Sequence, residues 1–191
     1  MIKRLFRGIE WLLGATALVS LGSWGRTEIQ SYRFQAASAA ALEATLHAPL
    51  KLKAEAPPPV LRNWIGRLDV PRLGMSTIVV EGDDDSVLKL GVGHVPGTAL
   101  PGQTGNAALA GHRDTFFRPL RNVRVGDEIL WTSPEFSGRY RVESTEVVDP
   151  ELTAALKPAR GATLTLITCY PFSFIGSAPQ RFVVHARLQV Q

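Results

Sequence analysis

Thr165–Phe172 reads TLITCYPF and holds the single cysteine of the 191-residue chain, Cys169. Upstream, Ala162–Thr168 alternates small or polar residues with aliphatic ones, the pattern of a buried or half-buried strand. Pro171 has no N–H to give to a ladder and ends that strand. Cys169 is thereby placed at a strand exit, where a rigid scaffold hands a side chain to a loop, a common position for a catalytic group. The stretch alone leaves two readings open: a nucleophile, or a small buried hydrophobe.

The rest of the chain narrows the choice. Its 45% hydrophobic and 20% charged residues are those of a globular protein. One cysteine excludes an intramolecular disulfide framework and any structural zinc site that needs two thiolates. The net charge of +4 is divided unevenly, because Lys3, Arg4 and Arg7 stand against only Glu10 in residues 1–25. The remainder carries too little positive charge for a dedicated nucleic-acid binder, and no nucleic-acid partner is expected.

Ile9–Trp24 (IEWLLGATALVSLGSW) is a mostly apolar run of 16 residues behind that basic flank, with Trp11 and Trp24 near its ends. A spanning helix needs about 20 apolar residues, with a lower limit near 17. The run would therefore cross a membrane only with Glu10 and Arg26 at the interfaces. The flank orients it with the N-terminus in the cytoplasm and the bulk of the chain outside. A cleaved signal peptide is the alternative, but Ala37-Ser38-Ala39 lies too far along for its cleavage site and Ala15-Thr16-Ala17 too early. The expectation is an uncleaved single-pass anchor at the cell membrane over residues 1–25. The Ala-rich residues Glu28–Leu46 then read as a helical stalk, and Pro57-Pro58-Pro59 as a stiff spacer. The division is thus 1–25, 26–60 and a catalytic or binding domain over 61–191.

From Val60 onward strands and turns replace the alanines. Strands are expected at Trp64–Val70, Thr77–Glu81, Asn106–Gly111, Asp127–Thr132, Arg139–Val148, Thr163–Cys169 and Arg181–Val190. Asp83–Leu90 reads as a short helix with acidic residues in its first turn, and Thr115–Val123 and Pro150–Leu156 as further helical pieces. Asp83, Asp84 and Asp85 lack the ligand series of a calcium loop, and no metal or cofactor is expected. Gly91–Gly105 (GVGHVPGTALPGQTG), with five glycines and two prolines, is a long shaped loop. Seven or eight strands with short helices make a mostly antiparallel β-barrel or sandwich.

A thiol nucleophile needs a base or a lowered pKa. Of four histidines, His47 falls in the stalk, His185 on the polar face of the last strand and His94 in the glycine-rich loop. His112 ends a strand of small residues that leaves room for a ligand, and is the best acid or base. Arg181 opens the last strand 12 residues after Cys169, and the intervening YPFSFIGSAPQ can return the chain so that both side chains reach one groove. Its guanidinium would stabilise a thiolate or an oxyanion.

Leu109–Leu120 (LAGHRDTFFRPL), Cys169–Val184 (CYPFSFIGSAPQRFVV) and the preceding GHVPGTALPGQTGN closely resemble the class D sortases, over about residues 62–191. The resemblance implies a mainly β fold, an eight-stranded sortase-type barrel with short helices, preceded by the transmembrane helix and stalk. It implies Cys169 as nucleophile, His112 as general acid/base and Arg181 as oxyanion or substrate stabiliser. The implied reaction is transpeptidation without a cofactor. An LPxTG-like sorting signal on a secreted protein is cleaved after Thr, held as a thioester, and passed to an amine of a peptidoglycan precursor or another envelope acceptor. Two other readings compete: an L,D-transpeptidase or thiol protease, and a non-catalytic envelope adaptor. The first is disfavoured by the order His, Cys, Arg, with His112 standing 57 residues before Cys169. The second leaves an unpaired cysteine outside the cell as an oxidation liability without a use.

Overall fold

In a computed structural model, which describes residues 2–47, 64–150, 160–174 and 176–189, eight strands close into one barrel. They are β1 (Trp64–Val70), β2 (Met75–Glu81), β3 (Val92–His94), β4 (Gly105–Ala110), β5 (Glu128–Thr132), β6 (Ser137–Val148), β7 (Ala162–Tyr170) and β8 (Gln180–Leu188). Around the barrel the order is β1-β2-β3-β4-β7-β8-β6-β5. Closure leaves no unpaired sheet edge. The barrel, rather than a sandwich, is the architecture.

Two of the pairings are parallel, β2 with β3 and β4 with β7, and the rest are antiparallel. Following the directions round, β1, β4 and β7 run the same way and β8 runs back. The exits of β4 and β7 and the entry of β8 therefore share one end of the barrel. Inside, Leu68, Val79, Leu109, Ile129, Tyr140, Leu164, Leu166 and Val184 form a continuous buried core. Each such side chain contributes about 1.5–3 kcal/mol relative to exposure.

The expected strands fall within two residues of those observed. The addition is β3, three residues inside the glycine-rich loop, too short and too glycine-rich to show an alternation. The acidic stretch becomes α2 (Asp85–Leu88), capped by Asp84, whose carboxylate accepts from Ser86 N at 2.9 Å and Val87 N at 3.2 Å. Thr115–Val123 tightens into a 3-10 helix over Arg118–Asn122. The helix expected over Pro150–Leu156 and the triple-proline spacer lie outside the described residues.

The N-terminal region differs from expectation. A single helix, α1, runs from Ile2 to His47 and joins the apolar run to the stalk without a break. No helix among the described residues is long and apolar enough to cross a membrane. Gly14, Thr16, Ser20, Gly22 and Ser23 dilute a run already shorter than a bilayer requires. The stalk is not a free spacer either. Phe34, Ser38, Leu42 and Leu46, at four-residue steps, form a stripe that packs on Ile78, Val80 and Trp64. Gln35 accepts from Ile78 N at 2.7 Å and donates to Leu90 O at 2.8 Å, and Glu43 pairs with Arg67 at 2.7 Å. The abundance of alanine around this stripe had hidden it.

Candidate active site

Side chains on one face of a strand alternate with those on the other. Leu164, Leu166 and Leu109 point into the core, so Thr165, Ile167 and Cys169 on β7 and Ala108 and Ala110 on β4 lie on the outer face. The antiparallel register sets Cys169 opposite Arg181 across β7 and β8, and Ile167 opposite Val183. Arg181 thus emerges beside Cys169 on the same outer face, as the 12-residue spacing anticipated.

His112 reaches the same place by another route. In the parallel pair, Ala110 lies beside Ile167. The register persists past the end of β4, since Gly111 N donates to Ile167 O at 3.1 Å and Thr168 Oγ1 to Gly111 O at 2.7 Å. Two residues beyond Ala110 and Ile167 stand His112 and Cys169, at adjacent strand exits. Gly111 is required here because a Cβ would come within 2.8 Å of the Phe117 ring. Ala110 and Ile167, both half-buried, lie on the outer face immediately before the pair. Cys169 is a free, partly accessible thiol, and the His112 side chain is 35% exposed.

The carboxylate that faces His112 is not the neighbouring Asp114, which is exposed, but Asp85 in α2, 3.9 Å from His112 Nε2. The Lys89 ammonium, 2.5 Å away, holds the Asp85 carboxyl below its ordinary range, and the charge of His112 adds in the same direction. Nothing in the sequence announces this contact, because the placement of α2 is a tertiary matter.

The remaining histidines serve other ends. His94 is buried, with Nδ1 2.9 Å from Glu81 and Nε2 3.0 Å from Ala99 O, so it braces the loop before β4. Tyr140 OH, accepting from Gly102 N at 2.7 Å, holds the same loop from inside the barrel, and burial raises its pKa. His185 pairs with Glu146 at 2.8 Å on the outer face. His47 is exposed and, among the described residues, is paired with Glu43 of its own helix. Among the described residues no group of three or more His, Cys, Asp or Glu is placed to hold a metal ion.

The model of the sortase domain matches residues 68–189, which include Asp85, His112, Cys169 and Arg181. The chain belongs to the sortase family. Sortases are, as a family, transpeptidases. It is 35% identical over 125 residues to sortase D of Bacillus subtilis (strain 168), a match that takes in 64% of this chain and 62% of the relative. The chain therefore spans under two thirds of that relative's length. Among solved structures it is similar to the sortase D5 transpeptidase of Clostridium perfringens, with TM-score 0.69 and 26% identity over 83% of this chain and 99% of the other. The sortase E T196V mutant of Streptomyces avermitilis superposes with TM-score 0.58 at 31% identity, covering 67% of this chain and 89% of that one. The class D likeness of the sequence motifs agrees with these matches.

Proposed function

We propose that this sortase is a cysteine transpeptidase that cleaves an LPxTG-like sorting signal after Thr and transfers the acyl fragment to an envelope amine. The observation that supports this reading is the convergence of Cys169, His112 and Arg181 on one outer face at one barrel end. The Cys169 thiolate attacks the Thr carbonyl, forming the S–C bond and an oxyanion. Arg181, opposite Cys169 in the ladder, carries donors suited to that charge. As the C–N bond breaks, the His112 imidazolium gives its proton to the departing amine. A thioester on Cys169 remains. The acceptor amine then attacks the thioester, its proton passes to His112, the S–C bond breaks and the thiolate returns. Sorting-signal-bearing secreted proteins are the proposed donors and a peptidoglycan precursor the proposed acceptor.

The proposed location is the extracytoplasmic face of the cell membrane, with the N-terminal part of α1 as the attachment. The basic Lys3, Arg4 and Arg7 suit an anionic lipid surface. Trp11, Leu12, Leu13, Leu18, Val19 and Leu21, all exposed on α1, supply an apolar surface for lipid.

The test is a peptide-library cleavage assay on the full chain in detergent, with and without added amines. Cleavage confined to peptides with an LPxTG-like core, diverted to amide product by amine, is the expected result. Cleavage elsewhere, or no turnover of any peptide, contradicts it.

A further inference from the structure

Arg113 follows His112 directly, yet its side chain turns to the loop between β7 and β8. Nη1 donates to Pro171 O at 3.0 Å, and Nη2 to Phe174 O at 2.6 Å and Gly176 O at 3.0 Å. The guanidinium also lies 5.9 Å from the centre of the Phe174 ring. Among the described residues no carboxylate is within 4.0 Å of Arg113, so three backbone carbonyls and an aromatic face receive its charge. A planar fork of five donors can grip carbonyls at two ends of a turn, whereas an ammonium is a point charge. The gripped loop leaves β7 one residue after Cys169 and enters β8 at Gln180, beside Arg181. Phe172 and Phe174 belong to it, the first packed on Phe182 at 5.4 Å between ring centres, the second 44% exposed.

We propose that Arg113 is a positioning residue that pins the β7–β8 loop against the exit of β4, so that this wall of the donor-peptide groove is built before substrate arrives. The inference rests on the reading of the site as a peptide-binding groove. The Arg181 backbone is fixed by the β7–β8 ladder, and its Nη1 donates to Gln180 O at 3.0 Å at the strand entry and to Ala178 O at 3.3 Å, so loss of the clamp loosens the groove wall more than it displaces the chemistry. A loop that must be ordered on binding weakens binding by that cost.

The test uses the full chain with two variants, Arg113→Ala and Arg113→Lys. Initial rates with an LPxTG-like peptide and an added amine are measured together with amide hydrogen exchange over residues 172–176. Arg113→Ala is expected to raise the donor KM about ten-fold, with kcat within about two-fold and the pH profile unmoved. Exchange in the loop accelerates. Arg113→Lys keeps the charge but not the fork, and is expected to behave like the alanine variant in both readouts. An unchanged KM and exchange rate, a fall in kcat at constant KM, or full restoration by lysine overturns the proposal. If the unsubstituted protein cleaves no peptide, the functional reading fails separately. Loop exchange still decides the clamp, since protection that survives in both variants refutes it.

Discussion

Cys169 and Arg181 are held differently from His112. The first two are paired residues in a continuous antiparallel ladder of eight paired positions, so backbone register sets their separation. His112 lies beyond the last ladder residue of its strand and depends on a short set of contacts: Gly111 N to Ile167 O, Thr168 Oγ1 to Gly111 O, and the facing Asp85. A ladder pair moves only if the barrel moves. A residue at a strand exit can be shifted by removing one hydrogen bond. The proposed nucleophile and its proposed stabiliser are thus built into the fold, while the proposed proton donor sits on an adjustable mount.

The sharpest way to probe this difference is to remove each partner. Arg181→Ala and His112→Ala are both expected to cut kcat/KM for peptide transfer by on the order of 10²–10⁴-fold, the range of a lost oxyanion donor or general acid. They separate by pH. The alkaline limb of the rate profile is expected to disappear in the His112 variant and to survive with Arg181 replaced. A profile that keeps its shape without His112 breaks the assignment of that residue.

A smaller effect is expected from Thr168→Val, which leaves the volume of the buried side chain nearly intact but removes its bond to Gly111 O. Leaving that carbonyl unpartnered costs about 1–3 kcal/mol, and the exit of β4 loses its tie to β7. Stability measured by denaturant should fall by that amount, and kcat should fall about ten-fold or more with KM little changed. Equal loss of stability with full kcat would show that His112 needs no such mount.

The smallest effect on catalysis is expected at the same barrel end but away from the groove. Asp127 pairs with Arg72 and accepts from Arg124 N at 2.8 Å, linking the turn after β1 to the entry of β5. The Arg72 hydrogen bond holds the Asp127 carboxyl below its ordinary value. A carboxyl depressed on folding contributes stability that is present above its unfolded pKa of about 3.9 and lost as pH falls through its lower folded value. Asp127→Asn should therefore lower Tm at pH 7, with the deficit vanishing toward pH 3 and below, and kcat/KM unchanged. A large loss of activity would mean that the site is sensitive to the barrel end as a whole and not to its own contacts.

The same contrast explains what could be read in the sequence. Strand alternation and Pro171 located the exit of β7. A cysteine and an arginine at either end of an 11-residue return could be paired by counting, because antiparallel neighbours obey register. His112 was legible as a residue after small ones at a strand end. What positions it was not: Asp85 arrives with α2 from the β2–β3 connection, and Arg113 acts through a loop 58–63 residues away. The bond of Thr168 to Gly111 O was not legible either, because it depends on β4 and β7 being parallel neighbours. At the N-terminus, composition showed a helix and not its docking. The stripe from Phe34 to Leu46 becomes visible only once Ile78 and Val80 are known to lie beneath it.

The central claim is that Cys169 carries the acyl fragment between donor and acceptor. Intact-protein mass spectrometry after incubating the full chain with an LPxTG-like peptide and no amine tests it most directly. The account predicts one added mass equal to the fragment ending in Thr, located on Cys169, absent from Cys169→Ala and discharged when amine is supplied. An adduct on another residue, or turnover by the Cys169→Ala variant at the unsubstituted rate, would contradict it.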